Sequence, residues 1–248
     1  MILRLASYNV HKCVGLDRLR IPERVIEVVN ALGADIVALQ EVDRRLPPRP
    51  AALPRTLIER ETDFGILPFA PEGPSLGWHG QTLLVRNGIS VDRIRRIVLP
   101  GLEPRGAILA EIALGSGSFR VVGVHLGLIR RYRSMQLAAI RAALSRRGEM
   151  PTAILGDFND WSARGGAAAL GPGFRLHAPG RSYPAARPIG ALDRIALGPG
   201  LHLASAGVFG GAPARIASDH LPIWADIQID PVARPGPRLG LASDRCAG

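Results

Sequence analysis

The sequence predicts an α/β fold, and three features predict it. A β-α-β unit opens the chain, strand-length apolar runs dominate its middle, and a second amphipathic helix separates those runs from later ones of similar length. Residues 2 to 9 (ILRLASYN) read as a strand. Pro22 then stands where a first helical turn tolerates a missing N–H, and Val25, Ile26, Val28, Val29 and Leu32 recur with helical period. Gly33 ends that helix, and residues 35 to 40 (DIVALQ) form a short apolar run of strand length. Two strands joined through a helix pair in parallel or nearly so, which places Asn9 and Glu41 at neighbouring strand ends.

Residues 46 to 55 (LPPRPAALPR) form a loop by their prolines, and further strands are expected at 82 to 86, 94 to 99, 107 to 114 and 119 to 124. Residues 133 to 146 form the second helix, with Met135, Leu137, Ile140 and Leu144 mostly on one side and arginines on the other. Short strands follow at 152 to 156, 192 to 197 and 222 to 229. Residues 1 to 230 therefore form one domain. The tail from 231 to 248 is rich in Pro, Gly and Arg, lacks a hydrophobic period and is expected to be disordered. No internal repeat recurs at a fixed period.

A chain of 248 residues, 47% of them hydrophobic, suffices to bury a core within one unit. No apolar run approaches the roughly 20 residues of a membrane-spanning helix. The first residues pass straight into a strand pattern without the apolar region and cleavage site of a secretory signal. Cys13 and Cys246 lie near opposite ends and suggest neither a disulfide framework nor a thiolate metal site. A reducing cytoplasm is the expected location. The net charge is +10, and Lys12 is the only lysine, so nearly all the positive charge is arginine, which suits bidentate contact with phosphate. A GC-rich genome writes the same bias, so charge alone does not select nucleic acid.

Polar residues able to do metal chemistry follow apolar strands repeatedly: Asn9 after ILRLASY, Glu41 after DIVALQ, His125 after FRVVGV, and Asp157 with Asn159 after AILG. Strand ends in a layered α/β protein share a rim, so groups distant in sequence can converge on one cleft. Magnesium prefers oxygen ligands in an octahedron and keeps several waters. Glu41, Asp157 and Asp219 supply carboxylates, and Asn9 and Asn159 supply amides; this hard-oxygen set argues against zinc.

The segments SYNVH, LQEVD, VVGVHLG, LGDFND, LDRIAL and ASDHLPI, in this order between residue 2 and about 229, resemble the motifs of the endonuclease/exonuclease/phosphatase superfamily. The resemblance implies a deoxyribonuclease I-like, four-layered α/β/β/α sandwich, with two packed mixed β-sheets flanked by helices. It implies Glu41 as the principal metal ligand with Asn9 and Asp219 nearby, and Mg²⁺, or Mn²⁺ in its place, as cofactor. Asp157 and Asn159 would orient the attacking water and contact the phosphate. His220 would be the general base or an electrostatic partner of the phosphate, with Asp193 holding its imidazole, and His125 would donate a hydrogen bond to the phosphate. These roles suit in-line attack on a phosphodiester, which needs an activated water, neutralised equatorial oxygens and a stabilised leaving alkoxide.

Several further residues carry two readings. Arg105, just before a strand, either clamps the phosphate or is a solvated arginine. His11, two positions after Asn9, lines the cleft or is a peripheral histidine. Arg130, Arg131 and Arg133 form a substrate rim or a charged helix start. Tyr8 stands where members acting at abasic sites typically have Trp, which weakens a base-excision role, and Gln81 stands where Asn is common. The compact form, with GLDR at 15 to 18, Arg133 and Gln136, resembles a small bacterial branch.

The expected activity is hydrolysis of a phosphoester, foremost a phosphodiester of nucleic acid or of a phospholipid head group. The alternatives are a phosphomonoesterase on a small phosphate ester and, from another class, a non-catalytic basic module that binds nucleic acid or an anionic membrane. The latter would show a broken motif set, and the set here is intact.

Overall fold

The computed structural model describes residues 1–70, 72–115, 117–162 and 167–230. The tail from 231 to 248, expected to be disordered, lies outside the described residues. In chain order the elements are β1 (Ile2–Asn9), α1 (Pro22–Ala31), β2 (Ile36–Gln40), α2 (Arg55–Glu61), β3 (Phe64–Ile66), β4 (Gln81–Arg86), β5 (Ser90–Val98), β6 (Gly106–Leu114) and β7 (Gly117–His125). Then come α3 (Arg130–Ser145), β8 (Thr152–Asp157), α4 (Ala167–Leu170), β9 (Arg175–His177), β10 (Asp193–Leu197), β11 (Leu201–Val208), α5 (Ala214–Ala217) and β12 (Ile223–Ile229). A 3₁₀ turn, His11–Cys13, follows β1.

The strands form two six-stranded mixed sheets, ordered β11-β12-β1-β2-β4-β3 and β5-β6-β7-β8-β10-β9. Each has one parallel pair near its middle, β1 with β2 and β7 with β8, and antiparallel pairs elsewhere. The parallel pairs are the two helical crossovers, through α1 and α3.

Alternation along the central strands explains the layers. Leu3, Leu5, Ile36 and Ala38 of one sheet pack against Phe119, Val121, Ala153, Leu155, Ile195 and Leu197 of the other. The residues between them face outward: Tyr8, Val37 and Leu39 meet Val25, Val28 and Val29 of α1, and Val122, Val124 and Ile154 meet Leu137 and Ile140 of α3. Strands buried on both faces read as unbroken apolar runs, which is why β2 and β8 stand out in the sequence. The result is the α/β/β/α sandwich. Among the described residues no helix is long and apolar enough to cross a membrane.

The elements not anticipated are short or peripheral. β3 and β9 have three residues each, α2 buries only Leu57 and Ile58, and β11 is an edge strand with a register shift between Leu203 and Ser205 that breaks its alternation. β5 begins at Ser90 rather than 94 because its first half is largely exposed and polar. α3 begins at Arg130 rather than 133, its first turn being arginines and a tyrosine.

Candidate active site

The site is the polar end of the apolar layer between the sheets. A strand's side chains alternate faces, so the inward series Leu3, Leu5, Ser7 continues to Asn9. The series Ala153, Leu155 continues to Asp157, Phe119 and Val121 lead to His125, and Leu197 and Ile195 lead to Asp193. Register then brings these ends level, since Asp157 pairs with His125 on one side and Asp193 on the other. Gly156 permits the approach: its φ is 151°, and a Cβ there would lie 1.9 Å from the carbonyl oxygen of Val124.

Loop geometry supplies the rest. Glu41 has φ 57°, His11 and Lys12 have φ 44° and 56°, and Asn159 has φ 50°. Left-handed backbone is uncommon outside glycine, and its concentration here is typical of a functional site. The turns are tied down: Lys12 N donates to Glu41 O at 3.0 Å, and Asn159 N donates to Asp157 Oδ1 at 2.8 Å.

One hydrogen-bond network joins the sheets. Asn9 Nδ2 donates to Asp157 Oδ2 at 3.2 Å, and the same oxygen lies 3.5 Å from His125 Nε2 and 3.8 Å from His220 Nε2. His220 Nδ1 donates to Asp193 Oδ2 at 2.9 Å, which also accepts from Ser182 Oγ at 2.5 Å. Asp193 Oδ1 is buried without a partner among the described residues. Ser218 Oγ donates to Asn9 O at 2.7 Å and accepts from His220 N at 3.3 Å, while the Tyr183 ring packs 4.8 Å from that of His220.

Charge states follow from these contacts. Burial works against the His220 cation, but the Asp193 charge and hydrogen bond outweigh it and lift the imidazole to about 10, so it is protonated at neutral pH. Burial, with the charge of Arg105, lowers His125 to about 3, so it is neutral. Burial and the Asp193 carboxylate push Asp157 upward. Burial also resists ionisation of Glu41, yet the positive charges of His125, when protonated, and of Lys12 hold it at about 2. Because His125 is neutral at neutral pH, Lys12 is the nearby cation Glu41 then faces.

Asn9, Glu41, Arg105, His125, Asp157, Asn159, Asp219 and His220 all line one cleft of about 460 Å³, and Asp193 lies fully buried behind His220. Arg105 is held on the cleft wall by Glu103, through Nε at 3.1 Å and Nη2 at 2.7 Å. Arg133 instead donates to the carbonyls of Gly127 and Leu128, and Gln136 accepts from Gly127 N, so this pair clamps the β7–α3 loop. Arg130 and Arg131 are exposed at the start of α3 and are not cleft-lining residues. His11 sits at the edge, 3.8 Å from Asp219. Gln81 is buried, donating to Gly106 O at 2.6 Å.

Cleft residues not anticipated include Lys12, the arginines Arg44, Arg45 and Arg49, His79, Glu103, Leu128, Trp161 and Tyr183. The run RRLPPR directly after LQEVD was the available signal for the arginines. Nothing in the sequence marked Ser182, which reaches Asp193 only through a loop turned back on the sheet.

Oxygen donors suited to a hard divalent ion lie on the cleft side: the Glu41 and Asp219 carboxylates and the Asn9 amide. The Lys12 ammonium resting on Glu41 Oε2 shows that this carboxylate attracts a cation. Asp157, Asp193 and His220 also present ligand atoms within 4.8 Å of one another. There, however, Asp193 already shares a proton with His220, which an ion would have to displace, so the donor set around Glu41 is the better fit.

Residues 6–220 match the endonuclease/exonuclease/phosphatase family. The chain belongs to that family. Membership makes it a phosphoester hydrolase. No curated protein matches it. Among solved structures it is similar to a functionally unknown conserved protein from Enterococcus faecalis V583, with 18% identity, TM-score 0.74, and coverage of 92% of this chain and 100% of that one. It is similar to TDP2 of D. rerio in complex with a single-strand DNA product, with 18% identity, TM-score 0.70, and coverage of 92% and 99%. The catalytic domain of human Nocturnin with a bound sulfate anion gives 20% identity, TM-score 0.68, and coverage of 92% and 93%. At these identities the likeness shows the family's deoxyribonuclease I-like fold.

Proposed function

We propose that the chain is a divalent-metal-dependent phosphodiesterase that uses magnesium, or manganese in its place, on nucleic acid or a phospholipid head group. The observation that carries this reading is the convergence of Asn9, Glu41, His125, Asp157, Asn159, Asp219 and His220, from both sheets, on one cleft with Asp193 behind it. Glu41 would hold the ion with Asn9 and Asp219. When bound, the ion supplies positive charge to the phosphate oxygens and to the leaving alkoxide.

Asp157 takes the proton of the attacking water. Burial and the Asp193 charge raise its proton affinity, and Asn9 and Asn159 fix its two oxygens. His220, already protonated through Asp193, faces the phosphate as a charged donor; of the two roles its motif allowed, this is the one its surroundings favour. Neutral His125 donates a hydrogen bond to a phosphate oxygen. Arg105, with two nitrogens on Glu103, keeps its Nη1 edge for another.

Arg44, Arg45 and Arg49 add positive charge to the cleft, suiting a polyanionic substrate. At its lip Trp161 and Leu128 are 61% and 67% exposed, apolar surface for a base or an acyl chain. TDP2 with bound single-strand DNA product lends support to the nucleic-acid alternative. Among the described residues the buried Cys13 thiol has no disulfide partner, which suits a reducing compartment, and we take this to be the cytoplasm.

The test is hydrolysis of bis-p-nitrophenyl phosphate and p-nitrophenyl phosphate with Mg²⁺, Mn²⁺ or EDTA by the wild type, Glu41→Ala and His220→Ala. Turnover that needs metal, favours the diester and disappears in both variants is expected. Preference for the monoester would move the reading to a phosphomonoesterase. Metal-independent turnover, or turnover that survives both substitutions, would refute it.

A further inference from the structure

Lys12 is the single lysine of the chain; every other Lys or Arg position is arginine. Its ammonium donates to Glu41 Oε2. The backbone holds the two residues together. Both have left-handed φ, 56° and 57°, and Lys12 N donates to Glu41 O at 3.0 Å. Their side chains are 27% and 24% exposed, so water screens the pair only in part, and both line the cleft.

We propose that Lys12 is a resident counter-cation that competes with the divalent metal for Glu41 and so sets the metal affinity of the site. This rests on the reading of Glu41 as a metal ligand. Without a cation beside it, a partly buried carboxylate would bear an uncompensated desolvation cost, which the ammonium offsets. An arriving ion must displace that ammonium from Oε2 and then sit near its charge, and both effects weaken binding.

Lysine is the residue type that such an exchange requires. Its ammonium makes a single-point contact on a flexible four-carbon stem and can swing aside, whereas a guanidinium would grip both carboxylate oxygens in a planar fork. In a chain that uses arginine for every other such cation, the exception falls on the carboxylate that would hold the metal.

The experiment is calorimetric titration of the full chain with Mn²⁺ alone, comparing wild type, Lys12→Met, Lys12→Gln, Lys12→Arg and Glu41→Gln. Melting in EDTA, followed by circular dichroism, verifies that each variant is folded. Lys12→Met and Lys12→Gln are expected to bind Mn²⁺ about tenfold more tightly than wild type, equivalent to about 1.4 kcal/mol. Lys12→Arg is expected to bind more weakly than wild type, and Glu41→Gln to lose binding. Should Glu41→Gln lose binding while the Met and Gln variants bind no more tightly than wild type, competition by Lys12 is overturned. Retention of binding by Glu41→Gln would overturn the metal-ligand reading instead. If the Met variant fails to fold, the order Gln, wild type, Arg decides.

Discussion

Replacing Asp193 by Asn tests the charge logic of the site. In the wild type the buried Asp193 carboxylate accepts from His220 Nδ1 at 2.9 Å and from Ser182 Oγ at 2.5 Å. Asn keeps the shape and one acceptor oxygen but removes the charge. Taking one partner from a buried ion pair costs about 3–5 kcal/mol. Lifting an imidazole from its ordinary 6.5 to about 10 implies the same order, at about 1.4 kcal/mol per tenfold. A cationic group whose folded pKa is raised contributes stability that is fully present below the unfolded value and lost as pH rises through the folded one. Wild type in EDTA should therefore lose a few kcal/mol of stability between about pH 6.5 and pH 10 as His220 gives up its proton. In Asp193→Asn the largest charge that opposed desolvation of His220 is gone, leaving only the weaker effects of Asp157 and Asp219, so most of this contribution should be lost. The assay is urea unfolding at pH 6 and pH 10, alongside diester turnover at pH 7, which should fall by about 10²–10³. An unchanged pH dependence in the variant would refute the assignment of His220 as the charged partner.

Gly156→Ala would place a Cβ 1.9 Å from the Val124 carbonyl oxygen on backbone with φ 151°, so a loss of at least about 3 kcal/mol is expected, read from the urea midpoint. Arg105→Ala should raise KM for the diester by about tenfold while changing kcat less, because in the proposed mechanism it holds phosphate rather than moving a proton. Trp161→Ala separates the substrate classes: loss of base stacking should weaken single-strand oligonucleotide binding by about 1–3 kcal/mol, measured by fluorescence anisotropy, and leave small-diester kcat nearly unchanged. No loss on oligonucleotides would turn attention to phospholipid head groups.

The central strands were legible because they are buried on both faces. β2 and β8 carry unbroken apolar runs, β6 and β7 carry runs interrupted by Glu111 and Arg120, and residues at or just beyond the ends of β2, β7 and β8, Glu41, His125 and Asp157, were conspicuous as polar endings. β11 and the first half of β5 were obscured by exposed polar residues. At the site, the groups on or beside strand ends could be named, but those brought in by loops could not. Ser182 reaches Asp193, and Tyr183 reaches His220, only after the segment from 182 to 190 folds back on itself, with Tyr183 and Gly190 bonding each other's backbone. Lys12 was visible as an unusual residue, but its contact with Glu41 depends on two left-handed residues that no apolar period signals. The Arg133 and Gln136 pair shows the opposite hazard, since residues that resembled a family mark hold a loop rather than a substrate.

The sandwich itself aligns the chemistry. Glu41 and Asn9 belong to one sheet's rim, whereas His125, Asp157 and Asp193 belong to the other, and Asn9 Nδ2 to Asp157 Oδ2 is a direct side-chain bond between them. The distance from Glu41 and Asn9 to Asp157 is therefore set by how the two sheets pack, through Leu3, Leu5, Phe119, Val121 and Leu155, and not by any single loop. A site built this way tolerates variation in its rim, where Arg44 to Arg49, Leu128 and Trp161 can serve different phosphoesters. It tolerates little in the layer beneath, because a displaced sheet would separate Asn9 and Glu41 from His125, Asp157 and Asp193.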